Sequence, residues 1–287
     1  MSSGRGLGGG IGDRAGAAVL WTVALAVTAA FGWIVADVVG GGASRLSVEF
    51  LIAPTADAGR AGGIGPVLVS TLLIVGICVA VTLPIGLGAA ILLAEYTPRG
   101  SRFGVWVRRS LDILAGVPSI VFGLFGSVFF CKVLGLGFSI LAGGLTLACM
   151  ALPILVRATE QGFAAVPDEY RLGAAALGLS RTGTLLRLLL PAAAPGLAVG
   201  LVLGIGRATA ETAALIFTSG YVDRMPGSLL DSGRALSVHI LDLSMNVPGG
   251  SSSAYASALV LLVLLLVIDG AASWLGERWL GRRIVQS

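Results

Sequence analysis

The sequence predicts an all-α membrane protein of six transmembrane helices with both termini on the cytoplasmic side. Composition is the first sign. Of 287 residues, 56% are hydrophobic, 12% are charged and 43 are glycine. A soluble domain carries about 25% charged residues and about 7% glycine. A water-soluble fold of this size would lack polar surface to cover itself, and disordered chains are charged and poor in apolar residues. The second sign is charge spacing. Uncharged runs of 22, 34, 19, 24, 19 and 26 residues separate Arg14 from Asp37, Arg60 from Glu95, Asp112 from Lys132, Lys132 from Arg157, Arg187 from Arg207, and Asp242 from Asp269. A bilayer core takes about 20 apolar residues per helix. In lipid only helices or closed barrels satisfy their backbone, and these runs are too long and continuous for barrel strands. The third sign is that arginine alternates from loop to loop. Arg5 and Arg14, then Arg99 to Arg109, then Arg157 to Arg187, then Arg278 to Arg283 crowd one side, against only Arg45, Arg60, Lys132, Arg224 and Arg234 on the other. The crowded side is the cytoplasmic one. The net charge of +4 is therefore a topology signal, and no nucleic-acid partner is expected.

In order, the spans are expected at about 16–38, 67–94, 111–131, 134–157, 192–219 and 254–275. They divide the chain into a cytoplasmic tail (1–15), a first transmembrane helix (16–38), a periplasmic loop (39–65), a membrane core (66–275) holding a long cytoplasmic loop (158–190), and a second tail (276–287). A signal peptide is the competing reading of the first 35 or so residues. Its positive start fits, but the 22-residue run exceeds a usual signal core and its flank lacks a clear cleavage site, so an uncleaved helix is expected. The stretch Ser2 to Gly12 is Gly/Ser-rich and reads as disordered. The second helix starts near Pro66, after the glycines at 62–65.

Chemistry of its own is missing. The chain has no GxxxxGK[ST] loop, and Lys132 is its only lysine, which excludes a P-loop ATPase. No His/Cys/carboxylate group has metal-ligand spacing, and no nucleophile elbow occurs. Cys78, Cys131 and Cys149 form no close pair and read as packing residues. No catalytic residue, metal or cofactor is expected. Transport, channel, receptor or scaffold roles remain.

From Thr159 to Leu190 the chain reads TEQGFAAVPDEYRLGAAALGLSRTGTLLRLLL. Pro167 precedes Asp168 and Glu169, acids suited to a first helical turn. A small-residue stretch follows from Leu172 to Gly178, and Ser180 can cap a second short helix. Two short helices with small side chains make a knob that fits a cleft on another protein, or else an amphipathic loop lying on the membrane. Gly178, Leu188 and Leu190–Pro191 match the spacing of the EAA loop of ABC importer permeases (E-A-A-x3-G-x9-I-x-L-P). Ala174 fits its second alanine, while Leu172 and Gly173 replace its E and first A. The resemblance implies an ATPase-coupling role for Glu169, Tyr170, Ala174 and Gly178.

The fifth span reads PAAAPGLAVGLVLGIGRATAETAALIFTSG. Gly196, Gly200, Gly204 and Ala208 repeat every four residues, a stripe that allows close helix approach. Arg207 and Glu211 are four apart, neighbours on one helical face. Arg207 stands twelve residues from both Pro195 and Ser219, about 18 Å from either end and near the midplane. A charge there costs roughly 2.5–3.5 kcal/mol on insertion scales, so it faces a cavity or a partner. The two residues either neutralise each other as packing glue or line a path. A guanidinium's planar fork suits oxyanions, which favours an anion path.

The segment GRATAETAALIFTSG strongly resembles the phosphate-specific permeases of ABC importers, whose pattern here is GRAxGETAPLxFTxG. Ala210 replaces the family glycine and Ala214 its proline. LAGVPSIVFGLFG (114–126), LPILVRATEQGFAAVP (152–167), LSVHILDLSMNVPGG (236–250) and AYASALVLLVLLL resemble the A-type subunit of that transporter. The resemblance covers about residues 65–275 and implies a type I ABC importer permease fold in the bacterial plasma membrane. It puts Arg207 and Glu211 on a phosphate path. In the third span Gly116, Pro118 and Gly123 can bend or open a helix. This is either a simple kink or, by resemblance, a position beside the path, so Gly116 and Pro118 join the expected pathway residues. Asp112 and Asp269 fall near cytoplasmic span ends and take no role.

Residues 220–253 are too long for a turn. Leu229, Gly233, Leu236, Ile240 and Leu243 share one helical face, and Asn246 to Gly250 is a stop. A short helix lying on the outer surface is expected there, with His239 in the external loop. The resemblance further implies a C-type phosphate permease as heterodimer partner, two ATP-binding subunits, and an extracytoplasmic phosphate-binding protein. The alternatives are a permease for another oxyanion, such as molybdate or phosphonate, or a non-ABC channel or scaffold.

Overall fold

The computed structural model describes residues 11–98 and 100–284, with side chains from 16 to 274. Residues 1–10, Arg99 and residues 285–287, which hold most of the expected first tail and the end of the second, lie outside the described residues.

Helix α1 (Ile11–Gly42) is exposed along its apolar length and leans on the rest near its C-terminal end, where Asp37 accepts a 2.9 Å hydrogen bond from the Tyr255 hydroxyl. A short helix α2 (Val48–Ile52) follows, capped by Ser47, and then an antiparallel pair, β1 (Thr55–Ala56) and β2 (Ala61–Gly62), with Thr55 opposite Gly62. Helix α3 (Gly65–Ile91) begins beside Pro66 as expected and ends in a π-helical turn, Leu92–Tyr96.

The third span is not one helix. Helix α4 (Arg102–Ala115) and helix α5 (Ser119–Gly126, continued by a π-helical stretch, Ser127–Val133) meet at a 100° bend. Gly116 ends the first and Pro118, extended in backbone, starts the second. The expected 111–131 span is corrected accordingly: Pro118 withholds an amide and starts a new helix from an extended backbone, while apolar composition is blind to direction.

Helix α6 (Ile140–Ala164), capped by Ser139, runs into α7 (Asp168–Ala176) and α8 (Arg181–Thr184). A third π-helical turn, Leu185–Leu189, leads to α9 (Leu190–Ala210). The expected continuous fifth helix, 192–219, is also corrected. It stops at Ala210, Glu211 is extended (φ −71°, ψ 129°), and only one further turn forms, α10 (Ala213–Ile216). Partners outside the helix explain the stop. The Glu211 carboxylate accepts from the Ala214 amide at 3.1 Å, and its carbonyl accepts from the Ser237 hydroxyl at 2.6 Å. Helix α11 (Leu236–Met245) and helix α12 (Ser251–Ile284) complete the chain.

The expected external helix is shorter than its apolar face. The carbonyls of Leu229 and Asp231 accept from the Leu141 and Ile140 amides, and Asp231 caps the amides of Gly227 and Ser228. Those bonds satisfy the start of α6 and hold 227–233 in loop form. Helix α11 does not lie on the surface, because Leu236, Ser237, Val238, His239 and Leu243 are buried against α3 and α12.

The core is α3, α6 and α9. Helices α3 and α6 run parallel: a Cβ on Gly144 would meet Ile77 at 2.6 Å, one on Gly86 would meet Leu155 at 2.7 Å, and Thr82 donates to the Ala148 carbonyl. The small-residue stripe of α9 faces α6 as expected. Gly204 sits beside Ala151, Gly200 beside Leu155 and Ala158, and Gly196 against Gly162.

Candidate substrate pathway and coupling loop

Arg207 lies at the level of Thr82 and Ala148, because Gly204 of its helix meets Ala151 of α6 and Thr82 of α3 bonds Ala148. Thr82 is 17 residues from the start of the Gly65–Tyr96 rod and 14 from its end. At about 1.5 Å per residue that is mid-depth. Arg207 is exposed on the single chain and, among the described residues, makes no ion pair or hydrogen bond. It continues the exposed face of Val199 and Leu203. The expected Arg207–Glu211 neighbour relation is lost with the helix, since Glu211 follows the break and its carboxylate caps α10.

Gly116 and Pro118 are exposed at the α4–α5 bend. The adjoining Leu114 and Val117 pack against a buried cluster that includes Ala208, Ala214 and Leu215. A Cβ on Gly123 would lie 2.8 Å from the Ala214 Cα, so α5 reaches α10 only because that residue is glycine. The structure thus brings both helix breaks, 116–118 and 211–212, to one apolar cluster beside Arg207.

Sequence reasoning missed Asp269. Helix α12 carries it alongside α9, where a Cβ on Gly206 would sit 3.7 Å from both carboxylate oxygens. It lies one residue from Arg207 at mid-depth, far from the span end where the spacing of charges put it. The run-length reading used Asp269 as a boundary marker and so could not see it as an interior residue.

At the loop end, Glu169 and Tyr170 of α7 are exposed. Gly178 is exposed with φ +71°, and open space surrounds the position of a Cβ. Its amide and that of Leu179 close the helix onto the Ala175 and Ala174 carbonyls. Ala174 is buried, so it seats the knob and offers no contact surface.

The residue that fixes the knob is Arg171, which the sequence reading counted only as a topology charge. It donates to both Glu95 oxygens, at 2.6 and 3.2 Å, to Asp168 at 3.2 Å, and to the Phe163 and Val166 carbonyls at 3.0 and 2.9 Å. Glu95 belongs to the π-helical end of α3. A cleft of about 260 Å³ between loop and rod is lined by Glu95, Tyr96, Arg171, Ala175, Arg181 and Leu185. A second node ties α4 to α6. Buried Glu160 accepts from Arg108 and, at 2.9 Å, from Arg157; Arg157 reaches Asp112 at 2.9 Å, and Arg108 donates to the Leu93 carbonyl at 2.9 Å. Arg171→Ala is expected to free α7 from the end of α3 while the rest of the fold stays intact, because bidentate charge-assisted bonds are lost. Amide exchange over residues 168–176 in the purified protein should speed up about tenfold; unchanged exchange would show that Arg171 does not hold the knob.

At the opposite end His239 is buried on α11. Burial, and after it the Arg234 guanidinium, lower its pKa to about 4, so it is neutral near pH 7. Arg234 holds Asp242 at 3.2 Å and Asp223 at 3.8 Å, a polar knot joining the 220–235 loop to α11. Among the described residues no group of three or more His, Cys, Asp or Glu is placed to hold a metal ion.

Comparison with known proteins agrees with this architecture. A family model described as binding-protein-dependent transport system inner membrane component matches residues 82–281. The chain is 32% identical over 250 residues to the probable ABC transporter permease protein YqgI of Bacillus subtilis, covering 82% of this chain and 85% of that protein. It is 34% identical to the phosphate transport system permease protein PstA 1 of Mycobacterium tuberculosis, covering 74% and 70%. To the PstA protein of Haemophilus influenzae it is 36% identical, covering 65% and 66%. Among solved structures it resembles a chain of the inward-facing MetNI methionine ABC transporter, with TM-score 0.59, 17% identity, and 75% of this chain and 96% of that one covered. A chain of a bacterial ABC importer of alginate gives TM-score 0.56 at 14% identity, covering 78% and 80%. Those likenesses show the fold, that of a type I ABC importer permease, with several helices long and apolar enough to cross a membrane. The chain belongs to the family of binding-protein-dependent transport system inner membrane components.

Proposed function

We propose that this subunit conducts inorganic phosphate across the bacterial plasma membrane, as the A-type permease of an ATP-driven importer. The observation that carries the reading is Arg207, an exposed guanidinium, unpaired among the described residues, at mid-depth on a helix face otherwise lined by Val199 and Leu203. Facing acyl chains it would cost roughly 2.5–3.5 kcal/mol or more. That face therefore meets a second permease subunit and the path between them. A C-type phosphate permease fits as the partner. Similarity to phosphate transport permeases over most of the chain supports the substrate.

A soluble binding protein delivers phosphate outside, and two ATP-binding subunits engage the cytoplasmic loops. Glu169, Tyr170 and the turn at Gly178 form the contact; Ala174 packs beneath it. ATP-driven closure moves α7, and Arg171–Glu95 passes the motion to α3. Glu160–Arg108 passes it to α4, and so to the bend at Gly116 and Pro118 beside the path. Phosphate is a mono- or dianion near neutral pH, and Arg207 offsets part of its charge without enclosing it, so passage is not arrested.

The test is uptake of labelled phosphate by the purified assembly in liposomes, with binding protein, ATP and competing oxyanions. Unlabelled phosphate should compete while molybdate and phosphonates at equal concentration do not. Competition by either of these would assign the path to that oxyanion. A preparation that retains no ATP-binding subunit would favour a channel or scaffold.

A further inference from the structure

The counter-charge of Arg207 is not where its own helix would put it. Glu211 has turned away past the break, and its carboxylate is occupied by the Ala214 amide. Asp269 stands instead beside Gly206, with a Cβ there 3.7 Å from each of its oxygens. The Asp269 side chain is half-buried, and its Oδ1 is shielded from solvent with no hydrogen-bond partner among the described residues. A carboxylate on α12 with an unpartnered oxygen therefore stands beside Gly206, one position along α9 from a guanidinium that is itself unpaired among the described residues. Each alone is costly there. As a mere packing residue Asp269 has no advantage, because a neutral isostere would avoid an uncompensated charge.

The geometry points to Asp269 as the resting counter-ion of Arg207, a carboxylate that takes the guanidinium between transport events and yields it to each passing oxyanion. The inference rests on the pathway reading of Arg207 above. An arginine stem is long and flexible enough to swing past the neighbouring glycine, whose missing side chain leaves the gap open. With the pair closed, the empty path carries no net charge at this level. When an anion arrives, the guanidinium's donors exchange one set of acceptor oxygens for another, so no charge is left unpaired. On release the carboxylate competes for the guanidinium and speeds departure. The device limits how tightly the path holds its cargo, which a conductor requires and a receptor does not.

The experiment uses the whole complex in liposomes with binding protein and ATP, comparing Asp269→Asn, Asp269→Glu, Arg207→Gln and the Arg207→Gln/Asp269→Asn double variant. Asp269→Asn should assemble, bind phosphate with a lower apparent KM, and lose about tenfold or more in maximal uptake, as close charge pairs couple at least that strongly. Asp269→Glu should keep most of the wild-type rate. Arg207→Gln should lower the melting temperature of the purified complex, and adding Asp269→Asn should restore it, because the stranded carboxylate is gone. Should Asp269→Asn alone fail to assemble, rescue by Arg207→Gln supports the pair and lack of rescue overturns it. Wild-type uptake kinetics in Asp269→Asn, or additive melting shifts in the double variant, would also overturn it. The two readings fail separately. If Arg207 does not line a path, Arg207→Gln transports normally while the melting shifts still compensate. If Asp269 is not the counter-ion, Arg207→Gln blocks uptake while Asp269→Asn changes nothing.

Discussion

Arg207→Gln is expected to abolish phosphate uptake while the complex still assembles. The substitution keeps a polar amide on a shorter stem and removes the charge and the guanidinium fork. Compensation for an anion at mid-depth is of the order of 3 kcal/mol, the scale on which insertion penalties for isolated charges run, and that is more than a hundredfold in rate. Arg207→Lys should fall between, since an ammonium restores charge but not the planar fork. The complex should still assemble, though melting lower, because Arg207 bonds no described residue and Val199 and Leu203 keep the apolar part of that face. Labelled phosphate uptake alongside a gel of co-purified subunits checks the prediction. Undiminished uptake by an intact mutant complex would remove Arg207 from the path.

Gly196→Val is expected to prevent stable folding. A Cβ at Gly196 would lie 2.5 Å from the Gly162 Cα and 2.7 Å from the Ala158 carbonyl oxygen. Both obstacles are backbone, so no side chain can swing aside. Helices α6 and α9 must separate, which also loosens Gly200 against Leu155 and Gly204 against Ala151. Overpacking of this kind costs about 3 kcal/mol. The mutant should express poorly and melt well below wild type in detergent. Gly32→Ala is the control: nothing lies within 4 Å of a Cβ there, and no change is expected. Equal melting of Gly196→Val and wild type would contradict the close contact.

The sequence revealed spans because lipid imposes a simple rule on charge spacing, which α3 obeys over its whole length, while α6 and α12 carry charges within them. It revealed the packing face of α9 for a similar reason, since small residues every four positions have few other uses. It flagged the α4–α5 bend through Gly116 and Pro118 but not its angle. The break at Glu211 left no local mark, because GRATAETAAL contains no breaker at that point. What ends the helix is the Ser237 hydroxyl, 26 residues downstream. Arg171 and Glu95, 76 residues apart, are legible as a pair only once the rods stand side by side. Asp269 was hidden differently: a charge used to delimit a helix is not examined as part of it. In the 158–190 loop, the turn at Gly178 was readable from spacing, whereas the burial of Ala174 emerges only once the knob is folded.

The 100° bend has a consequence for electrical insulation. Because α4 turns away, only the 15 residues Ser119–Val133 carry this part of the chain across. They rise about 22 Å, short of the roughly 30 Å of hydrocarbon in a typical bilayer. A rod that falls about one and a half helical turns short of the hydrocarbon thickness cannot insulate that flank by itself.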